Sequence, residues 1–228
     1  MKCSYLWGLF FAAFVGSLSS CGGAARSAAE LQALAARNRQ GHSPADVRFM
    51  TSMIPHHAQA VLFAGWAESH QASSALQIFC ARMVVAQQDE IVTMRSWLLE
   101  RDEAAPPAEY TRMDMRAGAH HHEMSGMLTE AQLKELDSAR GAEFDKLFLE
   151  YMISHHEGAL AMVDELFTSY GGAQNDFIFK LASDMYADQT TEIEHMQVML
   201  ATYRSAGKVP CLKQTHFLSF PKRRGLKL

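Results

Sequence analysis

Phe49-Met50-Thr51-Ser52-Met53-Ile54-Pro55-His56-His57 and Phe148-Leu149-Glu150-Tyr151-Met152-Ile153-Ser154-His155-His156 lie 99 positions apart and share their Phe, Met, Ile and paired His at matching places. The likeness runs on to Val61 and Leu160. It returns at an offset of 102, where Gln87, Glu90, Ile91, Met94 and Leu98 match Gln189, Glu192, Ile193, Met196 and Leu200. Such a repeat is read before anything else, because it makes the chain one supersecondary unit used twice. Each unit is a Met-His-His segment followed by a Met/Gln/Glu segment, the content of one helical hairpin. Function is expected at the positions doubled in both halves.

Outward from the first copy, Ser43-Pro44-Ala45-Asp46 reads as a helix start, with Ser at the N-cap, Pro at the first helical position and an acid in the first turn. The helix it opens is expected to reach about Ser69. Pro55 lies inside it without an amide hydrogen, so a kink just before His56 and His57 is expected, releasing the Thr51 carbonyl. Leu76, Met83, Gln87, Ile91, Met94 and Leu98 recur at helical steps and predict a second helix over roughly Ser74 to Arg101, with Pro106-Pro107 beyond its end. Ala104 to Gly126 has no sustained period and is expected to be a mobile crossover.

Thr129-Glu130-Ala131-Gln132 is a capping box, and Leu133, Leu136, Phe144, Leu147, Phe148 and Met152 continue from it. One continuous third helix carrying the second His pair is therefore expected. Gly171-Gly172 breaks the chain, and Asn175 or Asp176 caps a fourth helix that ends near Tyr203. No useful length alternates with period two. The fold class is all-α, a bundle of four helices in two hairpins, about 43–101 and 129–203, with one long crossover.

At 228 residues and 48% apolar content the chain suits one compact core. Residues 1–20 place a Lys near the start, then an apolar run from Leu6 to Val15, then small residues, the layout of a secretory signal rather than a membrane span. Leu18-Ser19-Ser20-Cys21-Gly22-Gly23 resembles the lipobox of bacterial lipoproteins, which implies lipidation of Cys21. Residues 21–42 then form a small, polar tether, helical in part. The tail, 204–228, carries Lys213, Lys222, Arg223, Arg224 and Lys227; it is expected to be disordered, or to touch anionic lipid weakly. A formal net charge of -4 without a broad basic face argues against nucleic acid as a partner. Cys80 and Cys211 remain as thiols of the mature chain. A disulfide between them, or a buried free Cys80 with an exposed Cys211, both stay open.

Neighbouring helical residues point about 100° apart, so His56 and His57 diverge, whereas residues three, four or seven apart share a face. Met53 with His57, Met50 with His57, Met152 with His156 and His155 with Met162 thus pair a thioether with an imidazole. Such donors favour Cu(I), a soft monovalent ion, over harder cations. Of the 14 Met, Met50, Met53, Met152, Met83, Met94, Met185, Met196 and Met199 fall near the His pairs or on the facing helices. A Met on its own is usually core filling. Two His pairs at equivalent places are less easily explained that way, since each buried imidazole needs hydrogen-bond partners. Glu90 and Glu192, doubled in the repeat, are suited to orient the imidazoles by bonding the ring nitrogen away from a metal, or else are exposed boundary residues. His120, His121 and His122 with Met124 and Met127 form a possible looser metal site in the crossover, or simply a solvated His-rich loop.

A di-iron carboxylate enzyme is the rival reading. It requires Glu-x-x-His on two helices and further Glu ligands on the others. Only Glu192 and His195 spell that motif in the repeat, Thr93 standing where a second His would be.

Taken together, Phe49-Met50 through His57, Gly141 to Asp145 leading into Phe148-Leu149 and Met152 to Ala161, and the two Gln/Glu/Met segments resemble the domain of unknown function 305 family over roughly Ser43 to Tyr203. The resemblance implies a ferritin-like four-helix bundle in a secreted or periplasmic bacterial protein, with copper binding through Met and His in some members. It carries over to Met53, His56, His57, Met152, His155 and His156. Ser154 departs from it where the family usually has Pro, so the second His helix is expected to be straighter and the two sites not equivalent. The expectation is an extracytoplasmic lipoprotein, anchored to a membrane through Cys21, that is not an enzyme. It would bind a copper ion, or another transition metal, for sequestration or exchange with a donor or acceptor protein. A structural or adaptor lipoprotein whose His pairs only hydrogen-bond is the alternative.

Overall fold

The computed structural model describes Ser27 and residues 41–110 and 124–206. The leader 1–20, Cys21 and nearly all of the tether, His120, His121 and His122, Cys211 and the tail beyond Ala206 lie outside the described residues. Within them the regular structure is all helical: α1 (Pro44–Ala64), α2 (Ser74–Leu99), α3 (Glu130–Ser138), α4 (Ala142–Thr168) and α5 (Asp176–Ala206). No helix among these residues is long and apolar enough to cross a membrane. All five belong to one unit, Asn38–Leu228.

Local chemistry starts most of these helices. The Ser43 hydroxyl accepts from the Asp46 amide while the Asp46 carboxylate accepts from the Ser43 amide, a reciprocal cap with Pro44 at the first helical position. Thr129 and Gln132 form the same box on α3. The Ser73 hydroxyl caps α2, and the Asn175 side chain accepts from the Phe177 amide at the start of α5.

Two expected boundaries differ. The first helix stops at Ala64 rather than near Ser69, its place taken by turns that end in a left-handed Gln71 at φ 58°. The expected third helix is two helices. Ala139 is extended at ψ 153°, Gly141 is left-handed at φ 57°, and the Gly141 amide donates to the His70 carbonyl at 2.9 Å. That long-range bond takes the amide out of any continuing helix. Pro55 sits within α1, and the helix runs on through it.

α1 packs on α2, α4 on α5, and the two pairs meet where α1 crosses α4, with α3 lying on α4. His56 faces His155 and Phe63 faces Phe148, so α1 and α4 run antiparallel. A single core joins them, with Phe63, Phe144, Phe148, Ile54, Leu76 and Leu98 fully buried. Each such side chain contributes about 1.5–3 kcal/mol relative to exposure.

The two halves also lock each other's turns. Asp46 and Asp145, equivalent in the repeat, are both buried. Asp46 accepts from the Ala173 amide at 2.8 Å, just before α5, while Asp145 accepts from the Ser73 amide at 3.1 Å, just before α2, and from the Tyr203 hydroxyl.

Candidate metal centre

The four repeat histidines meet at the α1/α4 crossing, and all four are buried. The His56 and His155 rings lie 3.8 Å apart between centroids, tilted by 39°, and form the centre of the arrangement. His57 stands 6.4 Å from His56 and His156 stands 6.3 Å from His155, each turned toward the second helix of its own pair. The 100° step between neighbours produces this split: one His of each pair faces the other repeat, its neighbour faces the hairpin partner.

Those outward-turned histidines find carboxylates. His57 Nε2 donates to Glu90 Oε2 on α2 at 2.7 Å, and His156 Nε2 donates to Glu192 Oε2 on α5 at 2.7 Å. Both glutamates are partly buried. Each bond turns an Nε2–H to a carboxylate and leaves Nδ1 directed elsewhere, the arrangement by which carboxylates fix imidazole ligands.

The central pair is not treated alike. His56 Nε2 donates to the Ser125 carbonyl at 3.1 Å, while His155 Nε2 has no partner among the described residues. The crossover causes the difference, because its Ser125-Gly126 turn crosses α4 at Gly158. A Cβ on Gly158 would lie 2.1 Å from the Ser125 carbonyl oxygen, so only glycine allows the approach. The repeat equivalent of Gly158 is Gln59, which holds the same crossover by its side chain: it donates to the Leu128 carbonyl and Tyr110 hydroxyl and accepts from the Leu128 amide at 2.8 Å.

Desolvation, reinforced by the neighbouring imidazoles, lowers the His56 pKa from 6.5 to about 3 and holds His155 well below its ordinary value. Both rings are therefore neutral bases at neutral pH. Among the described residues, His56 Nδ1, His57 Nδ1, His155 Nε2 and His156 Nδ1 are buried with no hydrogen-bond partner, as are the amide oxygens of Gln87 and Gln189.

The core that buries these histidines is rich in sulfur. Met50, Met53, Met94, Met152 and Met196 are 0% exposed, Met83 and Met185 nearly so, all in the same core. Met199 and Met127 are partly buried against that core, and Met124 lies at the near end of the crossover. Among the described residues no three His, Cys, Asp or Glu side chains converge closely enough to hold a metal. A cation held here would need thioether donors beside imidazole, which suits a soft ion and excludes a hard one.

Other residues read from the sequence lie elsewhere. His195 is exposed and packs edge-on against Phe79 at 5.3 Å, while Glu192 bonds His156. Among the described residues Cys80 is a buried free thiol, and burial raises its pKa to about 12. Ser125, Gln59 and Gly158 were not singled out by composition or spacing, while Asp46 was read only as the acid of a first helical turn and Asp145 only within the family-like segment. The 99-residue offset does pair Asp46 with Asp145 and could have drawn attention to them; nothing local marks Ser125.

Residues 46–200 match the family described as a domain of unknown function, DUF305. The chain belongs to the DUF305 family. No curated protein matches it in sequence. This DUF305 chain shares its fold with a Streptomyces coelicolor DUF305 protein proposed to be secreted, at 24% identity, TM-score 0.60, over 70% of this chain and 94% of the other. A DUF305 fragment from Deinococcus radiodurans is similar at 23% identity and TM-score 0.59, covering 71% and 99%. CopM in a Cu(II)-bound form is similar at 24% identity and TM-score 0.56, covering 69% and 97%; CopM has also been solved in Cu(I)-bound and Ag-bound forms. Likeness at these identities establishes the fold.

Proposed function

We propose that this protein is an extracytoplasmic copper-binding lipoprotein that sequesters Cu(I) or hands it to a partner protein. Its frame is read as a ferritin-like bundle of two hairpins. His56, His57, His155 and His156 with Met50, Met53 and Met152 supply the central donors, and Met83, Met94, Met185 and Met196 on α2 and α5 complete the shell. Glu90 and Glu192 orient the outer imidazoles. Anchoring is through a lipid on Cys21. The metal is cargo, and no reaction is catalysed.

One observation carries this reading: four imidazole nitrogens are buried without partners among the described residues, in a core rich in thioethers. A buried polar atom left unpaired costs about 1–3 kcal/mol. A fold that keeps such atoms on four repeat-related histidines has a use for them. Thioether with neutral imidazole selects a soft ion, and CopM, of the same fold, is known with Cu(I), Cu(II) and Ag bound. A relative proposed to be secreted supports the extracytoplasmic setting.

A second reading, a metal-free structural or adaptor lipoprotein, is favoured by the hydrogen bonds that His56, His57 and His156 already make. Titration of the full chain with Cu(I) against the competing chelator bicinchoninate separates the two. Cu(I) is expected to be retained by the wild type and lost after His56, His57, His155 and His156 are all changed to Ala. The wild-type unfolding midpoint should rise with free Cu(I), by about 2.7 kcal/mol of stability at a hundredfold excess over Kd. No retained Cu(I), or equal retention by the quadruple variant, would reject the copper reading.

A further inference from the structure

Duplication makes the two ends of the α1/α4 crossing equivalent by descent, yet they are built differently. At one end Phe63 packs edge-on against Phe148 at 5.6 Å, Phe144 adjoins Phe148 at 5.8 Å, and His70 lies between Phe144 and a stacked Trp66. Helix α3 packs on α4 there, and its Leu133 and Leu136 are buried. That end is closed by aromatic rings.

At the other end Phe49 keeps a ring where the closed end has Phe148, while the other equivalent positions are smaller, polar or thioether. Met162 stands for Phe63, Ala45 for Phe144, Arg48 for Leu147 and Ser52 for Tyr151. The result is an open groove of about 380 Å³ between α1 and α4, whose lining includes Arg48, Ser52, Met124, Ser125, Met162 and Glu165. Ser125 connects this groove to the buried centre, because its carbonyl accepts from His56 Nε2 at 3.1 Å. Met124 is its neighbour in sequence. Met162 follows His155 by seven residues, so both lie on one face of α4, about 10 Å apart along the axis.

We propose that this groove is the port through which a soft monovalent cation reaches and leaves the buried imidazoles, with Met124 and Met162 as its first thioether ligands and the aromatic end as a permanent plug. The proposal rests on the copper reading above and adds a route to it. A site enclosed by packed side chains exchanges its ion only where packing is interrupted, and among the described residues the groove touches a residue bonded to the central pair. Arg48 and Glu165 oppose each other in sign, so the groove offers no net charge to attract hard cations; selection falls to sulfur.

The test is the rate at which Cu(I)-loaded full-length protein gives its ion to excess bathocuproine disulfonate, read by stopped-flow absorbance. Wild type is compared with Met124→Leu/Met162→Leu, which removes both sulfurs at nearly constant volume, and with Met162→Phe, which restores the ring found at the plugged end. Both variants should release the Cu(I) they have bound at least tenfold more slowly than wild type, the rates being compared per ion loaded. Melting midpoints confirm that each is folded. Should the double variant misfold, Met162→Leu alone serves, since Met162 is only partly buried. Wild-type release rates in folded variants overturn the port and leave the copper reading standing. A wild type that holds no Cu(I) removes both.

Discussion

His56 and His155 are neutral because burial denies them a proton, and that gives the metal-free protein a defined pH dependence. With the native His56 pKa near 3 against 6.5 in the open chain, the unfolded state binds a proton that the folded ring refuses throughout that window. The stability associated with the neutral ring is complete above pH 6.5 and is lost as pH falls toward 3. His155 acts in the same direction. Each such proton gives a slope of about 1.4 kcal/mol per pH unit. Urea midpoints of the metal-free protein should therefore drop steadily from neutral pH to about pH 4, and a His56→Asn variant should show a shallower drop. Equal slopes for the two proteins would contradict the burial argument. Cys80 is governed by the same desolvation with the opposite sign, since its neutral form is the thiol.

Between elements, the decisive contact is the seating of the crossover on α4. The Ser125-Gly126 turn can approach only because position 158 carries no side chain, and Gln59 fastens the following segment through both its amide atoms. Gly158→Ala places a methyl carbon 2.1 Å from the Ser125 carbonyl oxygen. The turn must lift, and His56 Nε2 then loses its acceptor. Strain of this kind costs about 1–3 kcal/mol. A denaturation midpoint lowered by that amount is expected, together with a changed His56 ring-nitrogen resonance in NMR. An unaltered resonance in a folded variant would show that the turn does not hold the ring. The broken third helix belongs to this scale too. Leu133 through Met152 keep a helical period across residues 139–141, but period cannot register that the Gly141 amide is claimed by His70 from another part of the chain.

At the scale of the molecule, the hairpins are tied through Asp46 and Asp145, each accepting from the turn before the other hairpin's second helix. Asp46→Asn and Asp145→Asn each exchange a charged acceptor for a neutral one in a buried place, and a loss of about 1–3 kcal/mol is expected from each by denaturant unfolding. Because the carboxylates hold separate turns, the double variant should lose close to the sum of the two. Loss confined to Asp145→Asn would mean that the apparent interlock is only the Tyr203 contact.

Much of this architecture was legible in the chain. The duplication, the all-helical class, the caps at Ser43 and Thr129 and the doubled His and Glu positions all rest on short-range pattern, and helical periodicity is a property of neighbours. Spacing also showed that adjacent histidines must diverge. Other features were settled only when the helices packed. Which ring nitrogens remain without a partner depends on Ser125, 69 residues from His56, as well as on Glu90 and Glu192. Which end of the α1/α4 crossing is plugged depends on where α3 and the crossover lie. Residues close in space and far apart in sequence leave no periodic trace, so hydrogen-bond satisfaction and open grooves are decided by tertiary contact.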